Sequence, residues 1–425
     1  MASSDVPAPR LTPVDVQAID DLVAPADERM ERLYPGDDGR RQPIHTVYVP
    51  AHEVTADLAH RWGDAAKASL DAHAPSPMEM AKALEVPAAE VVAVWPLLLA
   101  KLEREPIEDL RIDLEDGYGD RGDATEDADA VAAARALGTA HALGLAPPYC
   151  GIRFKSLEAA TRRRGLRTLD LVLGALLAQG PLPYGWTVTL PKVTSVEQVE
   201  AMVEACARLE AAYGLADHRL TFEVQVEAPQ AVLGSDGVAT VSRLIHASDD
   251  RCTALHFGTY DYTAALGIPA GHQAMDHPAA DHAKAVMALA AAGTGVWLSD
   301  GSSNVLPVGE RSDVHQAWAT HARLVRRSLE RGIYQGWDLH PAQLPSRYLA
   351  TYLFLRAGLD EVGARLRRYA GGGGGAVLDE PATAQALAAG LVRGVHCGAV
   401  TVAEAESVTG SDIDQLKAWA MRRVG

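Results

Sequence analysis

Short runs rich in β-branched and aromatic residues recur along this 425-residue chain at nearly constant spacing, separated by stretches of helical periodicity. They lie at 46–50 (TVYVP), 110–115 (LRIDLE), 149–155 (YCGIRFK), 187–193 (TVTLPKV), 220–227 (LTFEVQVE), 254–261 (ALHFGTYD), 295–300 (GVWLSD) and 332–340 (GIYQGWDLH). From the second run onward their starts are 39, 38, 33, 34, 41 and 37 residues apart. That period fits a strand, a crossover helix and two loops. Eight such units in sequence predict a (β/α)8 barrel of class α/β over 43–347. An open doubly wound sheet also alternates strands with helices, but it is disfavoured: no GxGxxG or GxxxxGK[ST] follows the first strand.

The intervening segments read as helices. In 195–213, Val196, Val199, Val203, Cys206 and Leu209 form one apolar stripe, and Ser195 with Gln198 three residues later gives a capping-box pattern. The first interval is longer, at 64 residues, and holds extra helical material around 90–101. Residues 1–42 form a polar extension with a helix at 13–34 interrupted at Pro25. After the barrel, 348–425 reads as a helical segment, with helices at 348–357, 361–369, 383–397 and 402–424. The glycine run 371–375 within it is a flexible linker or the hinge of a lid.

Composition excludes several function classes. With 48% hydrophobic and 22% charged residues the chain can build a core. Its 39 Lys and Arg against 56 Asp and Glu give a net charge of −17, which repels nucleic acid. Cys150, Cys206, Cys252 and Cys397 are widely spaced and form no CxxC pair, which argues against a zinc cluster and a disulfide scaffold. The N-terminus lacks a signal pattern and no apolar run reaches 18 residues, so a cytoplasmic protein with no membrane partner is expected.

Ionisable residues gather at the C-terminal ends of the strands, the face on which barrels of this kind build active sites. Glu115 and Asp116 end the second strand, Arg153 and Lys155 the third, Lys192 the fourth and Glu227 the fifth. Asp261, Asp300 and His340 close the last three. Glu227 and Asp261 end adjacent strands, and two such carboxylates repel unless a proton or cation lies between them. Two carboxylates with water and substrate oxygens suit Mg2+, whereas the His/Cys clusters of zinc are absent. Arg153 can hold a carboxylate or enolate oxygen, or pair structurally with Glu115 or Asp116. Lys155 and Lys192 leave open a Schiff-base route. His340 reads as a satisfied rim histidine or an acid/base, and the histidines of 271–282 as loop residues.

The ordered motifs VYVP, DLEDG, GIRFKS, LPKVTSVEQV, VEAPQAV, GTYDYTAALG and DLHPAQL resemble the HpcH/HpaI aldolase and citrate-lyase-beta-like superfamily over roughly 45–390. The resemblance implies a (β/α)8 barrel, a homo-oligomer (trimer or hexamer), and Mg2+, or Mn2+, as cofactor in making or breaking C–C bonds beside a carbonyl. It implies Glu227 and Asp261 as metal carboxylates, Arg153 as the arginine on the substrate carboxylate and enolate, and Glu115 and Asp116 as the acidic pair ordering metal-bound water. LDEPATAQAL resembles the C-terminal lid segment, and places Asp379 where a neighbouring subunit brings in an acid. RIDLEDGYG carries no histidine base like that of the pyruvate-aldolase branch, and GYGDRGD departs from the acyl-CoA branch, leaving use of CoA open. The small-molecule substrate expected is a 2-oxo-acid aldol or a 3-hydroxyacyl-CoA. Thioester hydrolysis, phosphoryl transfer on a pyruvate-type substrate and a non-enzymatic scaffold are the alternatives.

Overall fold

Eight parallel strands follow one another around the molecule in a computed structural model describing residues 9–371 and 380–421. They are β1 (Thr46–Pro50), β2 (Asp109–Asp113), β3 (Tyr149–Arg153), β4 (Gly185–Leu190), β5 (Phe222–Val226), β6 (Cys252–Phe257), β7 (Trp297–Ser299) and β8 (Trp337–Asp338). Their hydrogen-bonded order is β7-β6-β5-β4-β3-β2-β1-β8. A parallel bridge between Ser299 and Gln335 joins the two ends and closes the barrel. The fold is thus the expected (β/α)8 barrel.

Outward-facing strand residues such as Ile112, Ile152, Val188 and Val224 pack with the crossover helices into one apolar core. The interior of the barrel is different. Period-two alternation turns Asp109, Arg111 and Asp113 of β2, Thr187 and Thr189 of β4, and Glu223 and Gln225 of β5 to one face. Branched aliphatic side chains usually fill that space, but here Arg111 spans it. Its Nη2 donates to Glu223 Oε2 at 2.7 Å, its Nε to Glu223 Oε1 at 3.0 Å, and its Nη1 to Asp109. A guanidinium with two carboxylates is tolerated there because each charge is paired and hydrogen-bonded.

A second apolar core lies outside the barrel wall. The helices of the long first crossover, Leu58–His73, Pro77–Leu84 and Ala88–Arg104, pack there with Leu344–Arg356 and Pro381–Cys397. Residues far apart in the chain therefore share one core, including Leu98, Tyr348, Leu391 and Leu416. The helix Pro13–Leu33 runs unbroken through Pro25 and buries none of its residues. Its exposed carbonyls can bond water where proline removes the N–H. The region expected as one helix over 402–424 is two, Val402–Thr409 and Ile413–Ala420, parted at Gly410 with φ +68°. Among the described residues no single helix is long and apolar enough to cross a membrane.

Candidate active site

The rim at the C-terminal ends of β2 to β6 gathers five carboxylates and two cations. Asp113, the last residue of β2, organises the first part. Its Oδ1 and Oδ2 accept from Arg153 Nε at 2.8 Å and Nη2 at 2.7 Å, a bidentate pair between β2 and β3. The same oxygens accept the backbone N–H groups of Glu115 (3.0 Å) and Gly117 (2.8 Å), fixing the loop that carries Glu115 and Asp116. A Cβ at Gly117 would lie 2.4 Å from Asp113 Oδ2, so glycine permits this close turn. Arg153 Nη1 lies 3.3 Å from Glu115 Oε2. Below the guanidinium, Tyr48 offers its ring face at 4.7 Å.

Lys192 is the hub of the second part. Its ammonium lies 2.8 Å from Asp116 Oδ2, 3.0 Å from Asp261 Oδ2, 3.4 Å from Glu227 Oε2 and 3.8 Å from Glu115 Oε1. Its backbone has φ +52°, a left-handed conformation that costs a non-glycine residue about 1 kcal/mol. In that conformation its N–H donates to Glu227 Oε1 at 2.7 Å. Gln225 donates to the other oxygen, Oε2. Asp261 is on the first turn of the helix Thr259–Ala265, one turn beyond the end of β6.

Charge and burial set the protonation of this cluster. Burial raises the Glu227 carboxyl to about 8, against the pull of Lys192 and with the added repulsion of Asp261 and Glu115. Burial likewise raises Glu115 to about 7, opposed by Arg153 and Lys192. Burial works to lower Lys192, but the charges of Glu227 and Glu115 and the hydrogen bonds of Asp116 and Asp261 outweigh it and raise its pKa. Glu115 Oε2 is buried without a hydrogen-bond donor. Beside the cluster a cavity of about 360 Å³ opens among Glu115, Asp116, Lys155, Ser156 and Lys192.

The structure thus brings together Arg153, Glu115, Asp116, Glu227 and Asp261. Asp379 and glycines 372–375 lie outside the described residues. Lys155 turns to Glu126 Oε2 at 2.8 Å and Leu114 O at 3.1 Å. Asp300 is consumed by a buried ion pair with Lys284 at 2.9 Å. His340 Nδ1 accepts from Ala342 N at 3.2 Å, capping the turn after β8. The histidines of 271–282 do not converge: His272 and His282 are exposed, and His277 caps a helix through Ala279 N.

Sequence reasoning missed Asp113 and underrated Lys192. The signal for Asp113 was available as the third inward position of the alternation Asp109, Arg111, Asp113. A chain of Ser346, His321 and Asp338 has the connectivity of a nucleophilic triad, with His321 Nδ1 2.8 Å from Ser346 Oγ and Nε2 3.1 Å from Asp338 Oδ1. All three are fully buried, and Ser346 Oγ donates to Gln343 O at 2.9 Å. This chain holds helices to β8.

A family model matches residues 23–424, nearly the whole chain. The protein belongs to the family described as Domain of unknown function (DUF6986). No curated protein matches it. Among solved structures it is similar to CitE from Mycobacterium tuberculosis in complex with magnesium, acetoacetate and coenzyme A, at 17% identity over 88% of this chain and 100% of that one, TM-score 0.48. It is similar to an HpcH/HpaI aldolase/citrate lyase family protein from Burkholderia cenocepacia, at 16% identity over 79% and 98%, TM-score 0.42. The lead(II) complex of Haloferax volcanii malate synthase matches at 16% identity, TM-score 0.44, over 57% of this chain and 63% of the synthase chain.

Among the described residues no group of three His, Cys, Asp or Glu side chains is placed to hold a metal ion. Glu227 and Asp261 nevertheless aim one oxygen each at the same ammonium, and the cluster holds more carboxylates than cations. Two carboxylates with the remaining positions left to water and substrate fit Mg2+ or Mn2+, hard cations that prefer oxygen.

Proposed function

We propose that the protein is a divalent-metal-dependent carbon–carbon lyase or aldolase acting through an enolate of a 2-oxo acid or a 3-hydroxyacyl-CoA. The observation that carries this reading is the convergence of Glu227, just past β5, and Asp261, on the helix that follows β6, on one cationic point at the rim. Mg2+ or Mn2+ held by these two carboxylates would supply Lewis-acid polarisation of the substrate carbonyl.

The chain's own residues do the rest. Arg153 commits Nε and one N–H of Nη2 to Asp113, and Nη1 stands 3.3 Å from Glu115 Oε2 as an ion pair without a hydrogen bond, which leaves three N–H groups of its fork for a substrate oxygen. Such a fixed guanidinium favours the charge that develops when a C–C bond breaks beside a carbonyl. Glu115, poised near neutrality, can hold a proton at Oε2, the oxygen that lacks a donor. Lys192 stays protonated and positions Glu227 and Asp261, so it does not serve as the neutral amine that a Schiff base needs. The same reading makes the protein a homotrimer or hexamer and keeps Asp379 as the acid exchanged between subunits; light scattering of the full chain checks the assembly.

The test is cleavage of citramalyl-CoA and of a 4-hydroxy-2-oxo acid, followed by released pyruvate. Metal-dependent release that is lost with EDTA and in Glu227→Gln supports the proposal. Release of free CoA with the carbon skeleton intact identifies a thioester hydrolase and overturns it.

A further inference from the structure

At the opposite end of the barrel, the N-terminal ends of β2, β3, β4 and β7 surround a cavity of about 320 Å³. Its volume is near the lower end for small-molecule sites. Arg219 lines it, partly buried, with Nη2 donating to the carbonyls of Leu182 (2.9 Å) and Pro183 (2.6 Å). Among the described residues no carboxylate lies within ion-pair reach of this guanidinium. The other arginines that line it are each paired with carboxylates, Arg111 with Asp109 and Glu223 and Arg40 with Asp38.

A second observation points into the same space. Thr187 lines the cavity and shares the inward face of β4 with Thr189, yet its hydroxyl is buried with no hydrogen-bond partner. A buried hydroxyl without a partner costs on the order of 1 to 3 kcal/mol that an incoming acceptor would recover. The outer wall is aromatic: Trp297 and Tyr149 meet edge to face at 6.2 Å. Burial lowers the Arg219 pKa, so an anion there would be favoured by more than at an exposed arginine.

We propose that this cavity is a second ligand site, separate from the rim, that takes a small aromatic carboxylate. Its anionic end meets Arg219, its oxygens accept from Thr187, and its ring lies along Trp297 and Tyr149. The experiment is calorimetric titration of the full chain with benzoate, with acetate as the probe lacking a ring. Saturable benzoate binding is expected, weakened at least tenfold in Arg219→Gln, weakened severalfold in Thr187→Val, and unchanged in Glu227→Gln. Thr187→Val conserves shape, so it remains informative if Arg219→Gln fails to fold. Absence of saturable benzoate binding overturns the proposal, as does binding that both cavity variants leave intact. Binding lost only in Glu227→Gln assigns the probe to the rim and also overturns it. Tighter binding of acetate than of benzoate overturns the aromatic part.

Discussion

Asp113→Asn removes the clamp on which the rim is built, and its cost can be worked out from the hydrogen bonds. Asp113 is 1% exposed and Arg153 5%. The carboxylate accepts from two guanidinium nitrogens and from the N–H groups of Glu115 and Gly117. Asparagine keeps one acceptor oxygen and turns an NH2 toward two donors. The guanidinium is left with Glu115, 3.3 Å away, as its remaining carboxylate. Breaking a buried ion pair from one side costs about 3 to 5 kcal/mol, and the retained amide oxygen recovers about 1 kcal/mol. The expected loss is thus about 3 kcal/mol, or roughly a hundredfold in the folding equilibrium. Urea unfolding followed by circular dichroism measures it. A double-mutant cycle with Arg153→Met should show that the second substitution costs at least about 1 kcal/mol less once the first is present. A loss below about 1 kcal/mol, or strictly additive effects, would refute the clamp.

Three further outcomes follow from the same geometry. Glu227 titrates near 8 in the fold against an ordinary 4.5, so its charge destabilises the folded state increasingly as pH rises from 4.5 toward 8. Glu227→Gln should therefore melt higher than the wild type at pH 8 without metal, while Mg2+ raises the melting temperature of the wild type alone. Equal Mg2+ shifts in both would contradict the metal assignment. Gly258→Ala places a Cβ 2.4 Å from Glu227 Cβ, which should displace Glu227, cut activity at least tenfold and cost about 1 to 3 kcal/mol in urea. Burial works to raise Glu108, yet Lys101 and Arg41 hold it down at about 2. Its contribution, on the order of 3 kcal/mol, is present above pH 4.5 and is lost as pH falls toward 2. Glu108→Gln should flatten that acid limb in a pH series of urea midpoints.

The strands were legible because their spacing and β-branched content are local properties. Their ends were overextended where the chain turns into a loop: the run read as 254–261 ends as β6 at Phe257, and Asp261 stands on the following helix. Glu115, Asp116, Arg153, Glu227 and Asp261 could be read because they stand at or a few residues past the ends of β-rich runs. Asp113, Glu223 and Gln225 were hidden inside those runs. Their alternation was visible, but an inward strand face is ordinarily apolar, and this one is polar. Lys192 was ambiguous because its role depends on a left-handed backbone that a Pro-Lys pair does not announce. The outer core was not legible either, since Leu98 and Leu391 share it through tertiary packing alone.

Enolate chemistry at the rim is tested most directly by proton NMR in D2O, following exchange of the pyruvate methyl and acetyl-CoA methyl protons. Exchange of either substrate that requires Mg2+, stops with EDTA and is absent in Glu227→Gln is the predicted result. Exchange of neither, or exchange that survives both EDTA and Glu227→Gln, would contradict it.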